Sequence, residues 1–400
     1  MTTRERFKKI CKFERPNDFF TFGLFCWNET YDRWIRESMP VKNMENVKEV
    51  NMYFLGYEHQ NETIAPNGAI QGLSKNLNPP WAPPLVPLFD IEILKDDGEH
   101  IELIEKDGSY VRRRKGDFES MPQYITYPVT DRKSWEAYKK RLDPFSPERF
   151  PNGWDIMSDA NMVWPIKPEH EGKNWEERDF ALGMFAYSLC GMPRNYMGLE
   201  NFSFALFEDM RLIEDMLDWQ SYFAYELLKK VFASGIKLEW VWVWEDICFN
   251  KGPLISPKFF KEFLTPRYKK VTELLHNNGV DAIIVDSDGN LDELMPLWID
   301  AGINATYPLE CASGMDARAY RKKFGKNLIM FGNIDKRALA SGKTAIDGEI
   351  AKAKELMAQG GYFPGCDHHV PPDVPFENIK YFFNELYKLS EYPELRKEII

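Results

Sequence analysis

The sequence has little that would carry the chain to a membrane, a nucleic acid or an oxidising compartment. No uninterrupted apolar run is long enough to span a bilayer, and residues 1–12 carry charge where a secretory leader would have an apolar core. Basic residues are the minority, 51 Lys and Arg against 62 Asp and Glu. The net charge of −11 argues against the clustered cationic face that phosphate backbones require. The six cysteines, Cys11, Cys26, Cys190, Cys248, Cys311 and Cys366, are scattered without CxxC spacing, which fits reduced thiols and a cytoplasmic protein. No P-loop, no GxGxxG after a strand, no GxSxG and no HExxH occurs, so nucleotide cofactors and those hydrolytic sites are not indicated. Nor is there an internal repeat or a low-complexity linker.

What is present is material for a large core: 44% hydrophobic and 14% aromatic residues in a chain of 400. An amphipathic helix is expected from Thr2 to Phe13, capped by Thr2 or Thr3 and closed near Pro16, and a second from Glu29 to Glu37 with Tyr31, Trp34 and Ile35 on one side. From Phe89 to Lys115 residues alternate, and Asp97-Gly98 and Asp107-Gly108 mark tight turns, so antiparallel hairpins are predicted. The basic run Arg112 to Lys115 reads as a solvated strand end that blocks edge pairing, or as a dock for an anionic partner.

After Pro128 helices alternate with apolar strands, the pattern of βαβ units that close a parallel sheet. Predicted strands are Phe180–Leu189, Lys237–Trp244, Asp281–Val285, Ala305–Leu309, Leu328–Phe331 and Gly361–Phe363. Ser256-Pro257 and Thr265-Pro266 each pair a cap with a proline at the first helical position, predicting two helices meeting at a bend. The expected fold is α/β, a (β/α)8 TIM barrel with N-terminal helical and β-hairpin embellishments. It forms a single domain over 1–400, with 1–130 as the extension and 131–400 as the main barrel.

Parallel barrels carry their chemistry on the loops after the strands. Here those loops are acidic. Glu245 and Asp246 follow Trp244; Asp286, Ser287 and Asp288 follow Val285; Glu310 and Cys311 follow Leu309; Asn333 and Asp335 follow Phe331; Cys366, Asp367, His368 and His369 follow Phe363. Carboxylates gathered so closely need protons or a cation to compensate them. Asp288, Glu310 and Cys366, with Asp286 or His368 as substitutes, would supply the three protein ligands of a catalytic zinc. Each residue also has a plain structural reading. Asp288 before Gly289-Asn290 suits an N-cap or Asx turn, and Cys366 after Pro364-Gly365 suits a buried small hydrophobe. Arg194, in Gly191-Met192-Pro193-Arg194, suits a pocket wall or a surface turn.

The stretches TTRERFKKICKFERP, WVWEDICFNKGPLISPKFFKEFLTPRYKKV, IIVDSDGNLDELMPLWIDAGINATYPLE, LIMFGNIDK and GGYFPGCDHHVPPDVPFENI resemble the uroporphyrinogen decarboxylase superfamily, which includes zinc-dependent methyltransferases that serve corrinoid proteins. In that branch the metal is held by a His-x-Cys pair, sometimes a Glu after the next strand, and a distant Cys. The resemblance places Asp286 and Asp288 at the pair, Glu310 at the carboxylate and Cys366 at the distant thiolate, with carboxylates replacing the pair's soft ligands. True uroporphyrinogen decarboxylases carry an Arg-rich N-terminal segment that grips propionates, and Phe19 to Trp34 has no such cluster. CWNETYDRWIRESMP looks instead like a subgroup of decarboxylase-like proteins and of methyltransferase components from anaerobic O-demethylase systems.

The resemblance therefore implies an enzyme that moves a methyl group from an O-methylated, small or aromatic, donor to a corrinoid carried by a separate protein. Zinc would act as Lewis acid on the ether oxygen. Glu245 or Asp246 would contact substrate or ligands, His368 would donate a proton or replace a ligand, and Trp27 and Trp34 would line the donor pocket or belong to the core. A metal-free decarboxylase using Asp286, and a non-catalytic binding barrel, are the alternatives.

Overall fold

The computed structural model describes residues 1–18, 20, 26–40, 62–64, 84–116, 121–149, 163–164, 178, 181–233, 235 and 237–392. Phe19, residues 21–25 and Phe180, which entered the expectations above, lie outside them.

Strand β1 (Glu62–Ile64) precedes an inserted antiparallel sheet of β2 (Glu92–Asp96), β3 (His100–Ile104), β4 (Tyr110–Arg114) and β5 (Gln123–Thr126). Then come β6 (Val163–Trp164), β7 (Leu182–Tyr187), β8 (Trp240–Trp244), the small ribbon of β9 (Cys248–Phe249) and β10 (Gly252–Pro253), β11 (Ala282–Asp286), β12 (Ala305–Tyr307), β13 (Ile329–Ile334) and β14 (Tyr362–Cys366). The main sheet runs β14-β13-β12-β11-β8-β7-β1-β6. It is parallel throughout except where β6 joins β1 antiparallel. No ladder between β14 and β6 occurs among the described residues. Because β1 belongs to this sheet, the barrel draws on the stretch before residue 130 that the sequence assigns to the extension.

Side-chain alternation sorts the strands into an inner and an outer layer. Trp240 and Trp242, Ala282 and Ile284, Ala305, Ile329 with Phe331, and Phe363 make one buried cluster with Phe7, Ile10 and Cys11 of the first helix. Val241, Val243, Ile283, Val285, Met330 and Tyr362 face the other way, into the helical layer. Trp242 on β8 lies 5.0 Å from Tyr307 on β12, across β11, so the sheet curls around its inner cluster as a TIM-type α/β barrel does.

The first helix, Thr3–Cys11, starts at a capping box of Thr2 and Glu5. It closes the N-terminal end of the sheet, with Arg4 paired to Glu239 (2.7 Å) and Lys8 to Asp281 (3.1 Å) at the starts of β8 and β11. Glu239 also accepts from Arg178 and from the Leu182 amide, and it is buried. No described helix is long and apolar enough to cross a membrane.

Three expectations are corrected. The basic run on β4 does not guard an edge, since β4 lies between β3 and β5; its residues pair with acids of the same sheet, Arg112 with Asp97, Arg113 with Glu105 and Lys115 with Asp96. Thr265 does not cap a second helix. Pro257–Phe259 continues through a π-helical turn, Phe260–Leu264, into Thr265–Asn277, and the Thr265 amide bonds Phe260 O. Pro266 has no N–H to give, and widening the turn accommodates it without a break. Third, β13 and β14 run three residues past their predicted ends, through Gly332 and through Pro364-Gly365. Gly332 at φ 96° leaves room for Pro308 O, which a β-carbon would meet at 2.5 Å.

Candidate functional site

The carboxyl ends of β8, β11, β12, β13 and β14 lie side by side, and the acidic groups flagged in the sequence converge there unequally. Glu245 leaves the site altogether. It continues the outward phase of Val241 and Val243, is fully buried, and accepts the Leu189 (2.7 Å), Cys190 (2.9 Å) and Gly191 (2.8 Å) amides together with the Ser188 and Tyr268 hydroxyls. Its carboxylate braces the loop after β7. Gly191 permits the approach, because a β-carbon there would meet Glu245 O at 2.2 Å. Asp246, with φ 46°, turns to the rim and holds Arg194, whose guanidinium reaches Asp246 O (2.6 Å) and Oδ2 (3.3 Å). Arg194 is thus a pocket-side residue held by an acid of the neighbouring strand end, not a loose surface turn.

Asp286 takes the inward phase of Ala282 and Ile284, and its Oδ2 accepts the Trp242 indole N–H at 2.8 Å. Burial first, and then the neighbouring Asp288, push its carboxyl well above the usual range. Asp288 stands at the rim with Oδ2 3.4 Å from His368 Nε2. It caps nothing; the Asx turn there belongs to Asn290, whose Oδ1 accepts the Asp292 amide. Burial, then Asp246 and Glu310, push Asp288 up to about 7. Burial and Lys336 push His368 down, and burial brings its neighbour His369 to about 4.

Glu310 accepts the Gly289 amide (3.0 Å) and faces Lys336 Nζ at 3.4 Å. Lys336 is the residue the sequence reading missed; it follows Asp335, which caps its helix by accepting the Arg337 amide, so the acid drew attention and the cation did not. Asp367 is fully buried and ties two loops together, accepting the Cys311 (2.9 Å) and Lys336 (3.0 Å) amides. Asn333, at φ 64°, donates to Leu309 O and Met315 O and accepts from the Ala317 amide, shaping the loop that carries Glu310. At the mouth, Trp27 is part-exposed with its ring 5.0 Å from that of His369, while Trp34 is core, its indole N–H on Val374 O.

Asp286, Asp288, Glu310 and Cys366 stand at or just past the carboxyl ends of β11, β12 and β14. Glu310 lies 3.4 Å from Lys336 Nζ, Cys366 Sγ lies 3.8 Å from Asp367 Oδ1, and burial pushes the Cys366 thiol well above its usual value. Among the described residues, no three His, Cys, Asp or Glu side chains are grouped so as to hold a metal ion. Lys336 beside Glu310 and Arg194 beside Asp246 offset part of this acidic charge.

The shift on Asp288 has a pH signature. Its folded value, about 7, lies above that of an unfolded chain, so its contribution to stability is full below about pH 4 and is lost as pH rises through 7. Half-buried His368 and His369 work in the opposite sense on the acid side. Differential scanning calorimetry of Asp288→Asn beside the parent removes that background. The variant's midpoint is expected to rise relative to the parent between pH 5 and pH 8, and a constant offset would refute the assignment.

The family model described as uroporphyrinogen decarboxylase (URO-D) matches residues 183–389, which hold every strand end discussed here. The uroporphyrinogen decarboxylase of Campylobacter lari is 25% identical over 130 residues, covering 32% of this chain and 34% of that protein. That of Helicobacter acinonychis is 22% identical over 192 residues, covering 47% and 52%. The chain thus spans about a third to a half of the length of these curated relatives. A solved methyltransferase from Methanosarcina mazei superposes over 97% of this chain and 99% of its own, with TM-score 0.54 and 15% identity, a likeness of fold.

Proposed function

Because the chain belongs to the uroporphyrinogen decarboxylase (URO-D) family, and because its rim presents a carboxylic acid that titrates near neutrality, we propose that it is a methyltransferase. It moves a methyl group from a small, possibly aromatic O-methylated donor to the corrinoid of a separate partner protein. The observation that carries this reading is Asp288, held up to about 7 and backed by His368 at 3.4 Å. An ether oxygen is a poor leaving group unless it is protonated as the C–O bond breaks, and a general acid matched to the working pH supplies that proton.

Reduced cobalt of the partner attacks the methyl carbon, the C–O electron pair stays on oxygen, and Asp288 gives its proton to that oxygen. His368, kept neutral, orients Asp288 and passes a proton back to it from solvent. Asp286, bonded to the Trp242 indole, and the rings of Trp242, Trp244 and Tyr307 furnish a largely apolar floor for the donor. Asp246 and Arg194 flank it on one side and Glu310 with Lys336 on the other. No step is assigned to zinc.

The decarboxylase alternative has the curated relatives in its favour. It would use Asp286, at the inward-facing end of β11, to stabilise a developing cation. The deciding experiment incubates anaerobically purified protein with methyl ethers and cob(I)alamin or a cob(I) corrinoid protein, before and after dialysis against a chelator, with elemental analysis of both samples. We expect transfer that survives chelation. About one zinc per chain, lost together with activity in Cys366→Ala, would restore the four-ligand reading. Absence of transfer from every ether to either acceptor would reject the methyltransferase and leave the decarboxylase or a non-catalytic binding barrel.

A further inference from the structure

The loop after β7 enters the Gly191–Met197 helix, where Arg194 grips Asp246 at the rim, and then Leu199–Glu208, before the long Met210–Ala233 helix runs back along the outside of β7. Leu199–Glu208 therefore lies at the same end of the barrel as the candidate site. It buries Phe202 and Ala205 on one side. On the other it presents Phe204, 56% exposed, and Phe207, 89% exposed, at i and i+3. Leu199, 40% exposed, extends this face toward Gly198.

Gly198, at φ 75°, lets the Tyr127 ring occupy the place of a side chain, 2.2 Å from where its β-carbon would stand. Tyr127 in turn stacks on Tyr124 at 4.9 Å, and Tyr124 and Ile125 of β5 are themselves exposed. The inserted sheet and the rim helix thus form one apolar strip. Scattered single apolar side chains on a surface need no explanation, but a continuous strip with two open phenylalanines does.

Resting on the methyltransferase reading above, we infer that this strip is where the corrinoid-bearing partner docks. The reaction requires a second protein to bring its cofactor to the barrel mouth, and the strip adjoins that mouth. Its fringe is acidic: Glu200, Glu208 and Asp209 are exposed on or beside the same helix. A partner that fits presents an apolar patch ringed by Lys and Arg. A second copy of this chain would set like acids against like, on a molecule of net charge −11.

Steady-state transfer to two acceptors, with the same donor, tests the inference. Phe204→Ser and Phe207→Ser are expected to raise KM for a cob(I) corrinoid protein at least about tenfold, while kcat/KM for free cob(I)alamin, which needs no docking, stays within about twofold. Glu200→Lys with Glu208→Lys should raise the same KM and flatten its dependence on ionic strength. Unchanged KM for the corrinoid protein in all variants would overturn the inference. So would a parent enzyme that methylates cobalamin but no corrinoid protein, or a parent that is dimeric by light scattering and becomes monomeric as Phe207→Ser. Loss of transfer to both acceptors in the parent would instead reject the methyltransferase reading itself.

Discussion

Asp288→Asn lowers methyl transfer from an unactivated alkyl or aryl methyl ether by roughly 10²–10⁴-fold, the range that removal of a general acid produces. The amide keeps the shape of the carboxyl and can still face His368, so the loss reports the missing proton. Donors whose leaving oxygen is already weakly basic, such as nitrophenyl methyl ethers, should lose far less, since they need little protonation in the transition state. In the parent, rate against pH should fall above about 7 as Asp288 ionises; in the variant that limb should vanish. Cys366→Ala is expected to leave kcat within about threefold, because its thiol packs outward and stays protonated. The opposite result, full activity in Asp288→Asn with inactive, metal-depleted Cys366→Ala, would show that a ligated metal does the work assigned here to a proton.

The second large effect falls on stability. Glu245→Ala removes the acceptor for three buried backbone amides and two hydroxyls. Each unsatisfied buried donor costs about 1–3 kcal/mol, so a loss of at least ~3 kcal/mol is expected from denaturant unfolding. Glu245→Gln retains an acceptor oxygen and should lose less. If Glu245→Ala unfolded like the parent yet failed in transfer, its carboxylate would belong to the chemistry after all.

The contrast between Glu245 and Asp286 shows how far the amino-acid order reaches. Both directly follow predicted strands, and position alone made both candidates. Alternation tells them apart: Trp242 points inward, so Glu245 three residues on points outward, while Ile284 points inward and Asp286 two residues on follows it. The strands were legible from their apolar runs because parallel sheets bury both faces. Their ends were not, since Gly332 and Pro364-Gly365 read as turns, and a glycine in a strand signals close backbone approach just as well. The pairing of Glu310 with Lys336 and of Asp246 with Arg194 was illegible for another reason. Each joins different strand ends, and nothing local marks which cation a carboxylate will meet.

The first helix gives the molecule a floor. Phe7, Ile10 and Cys11 fill the N-terminal end of the inner cluster, and Arg4 and Lys8 lock the helix to Glu239 and Asp281. Among the described residues, that covered end leaves the proposed site facing the carboxyl ends of the strands. Under the proposed methyl transfer, a donor would be seated before a bulky acceptor covers that opening, and the demethylated alcohol would leave only after the acceptor lifts away. Turnover would then follow a compulsory order, paced by the departure of one protein from another.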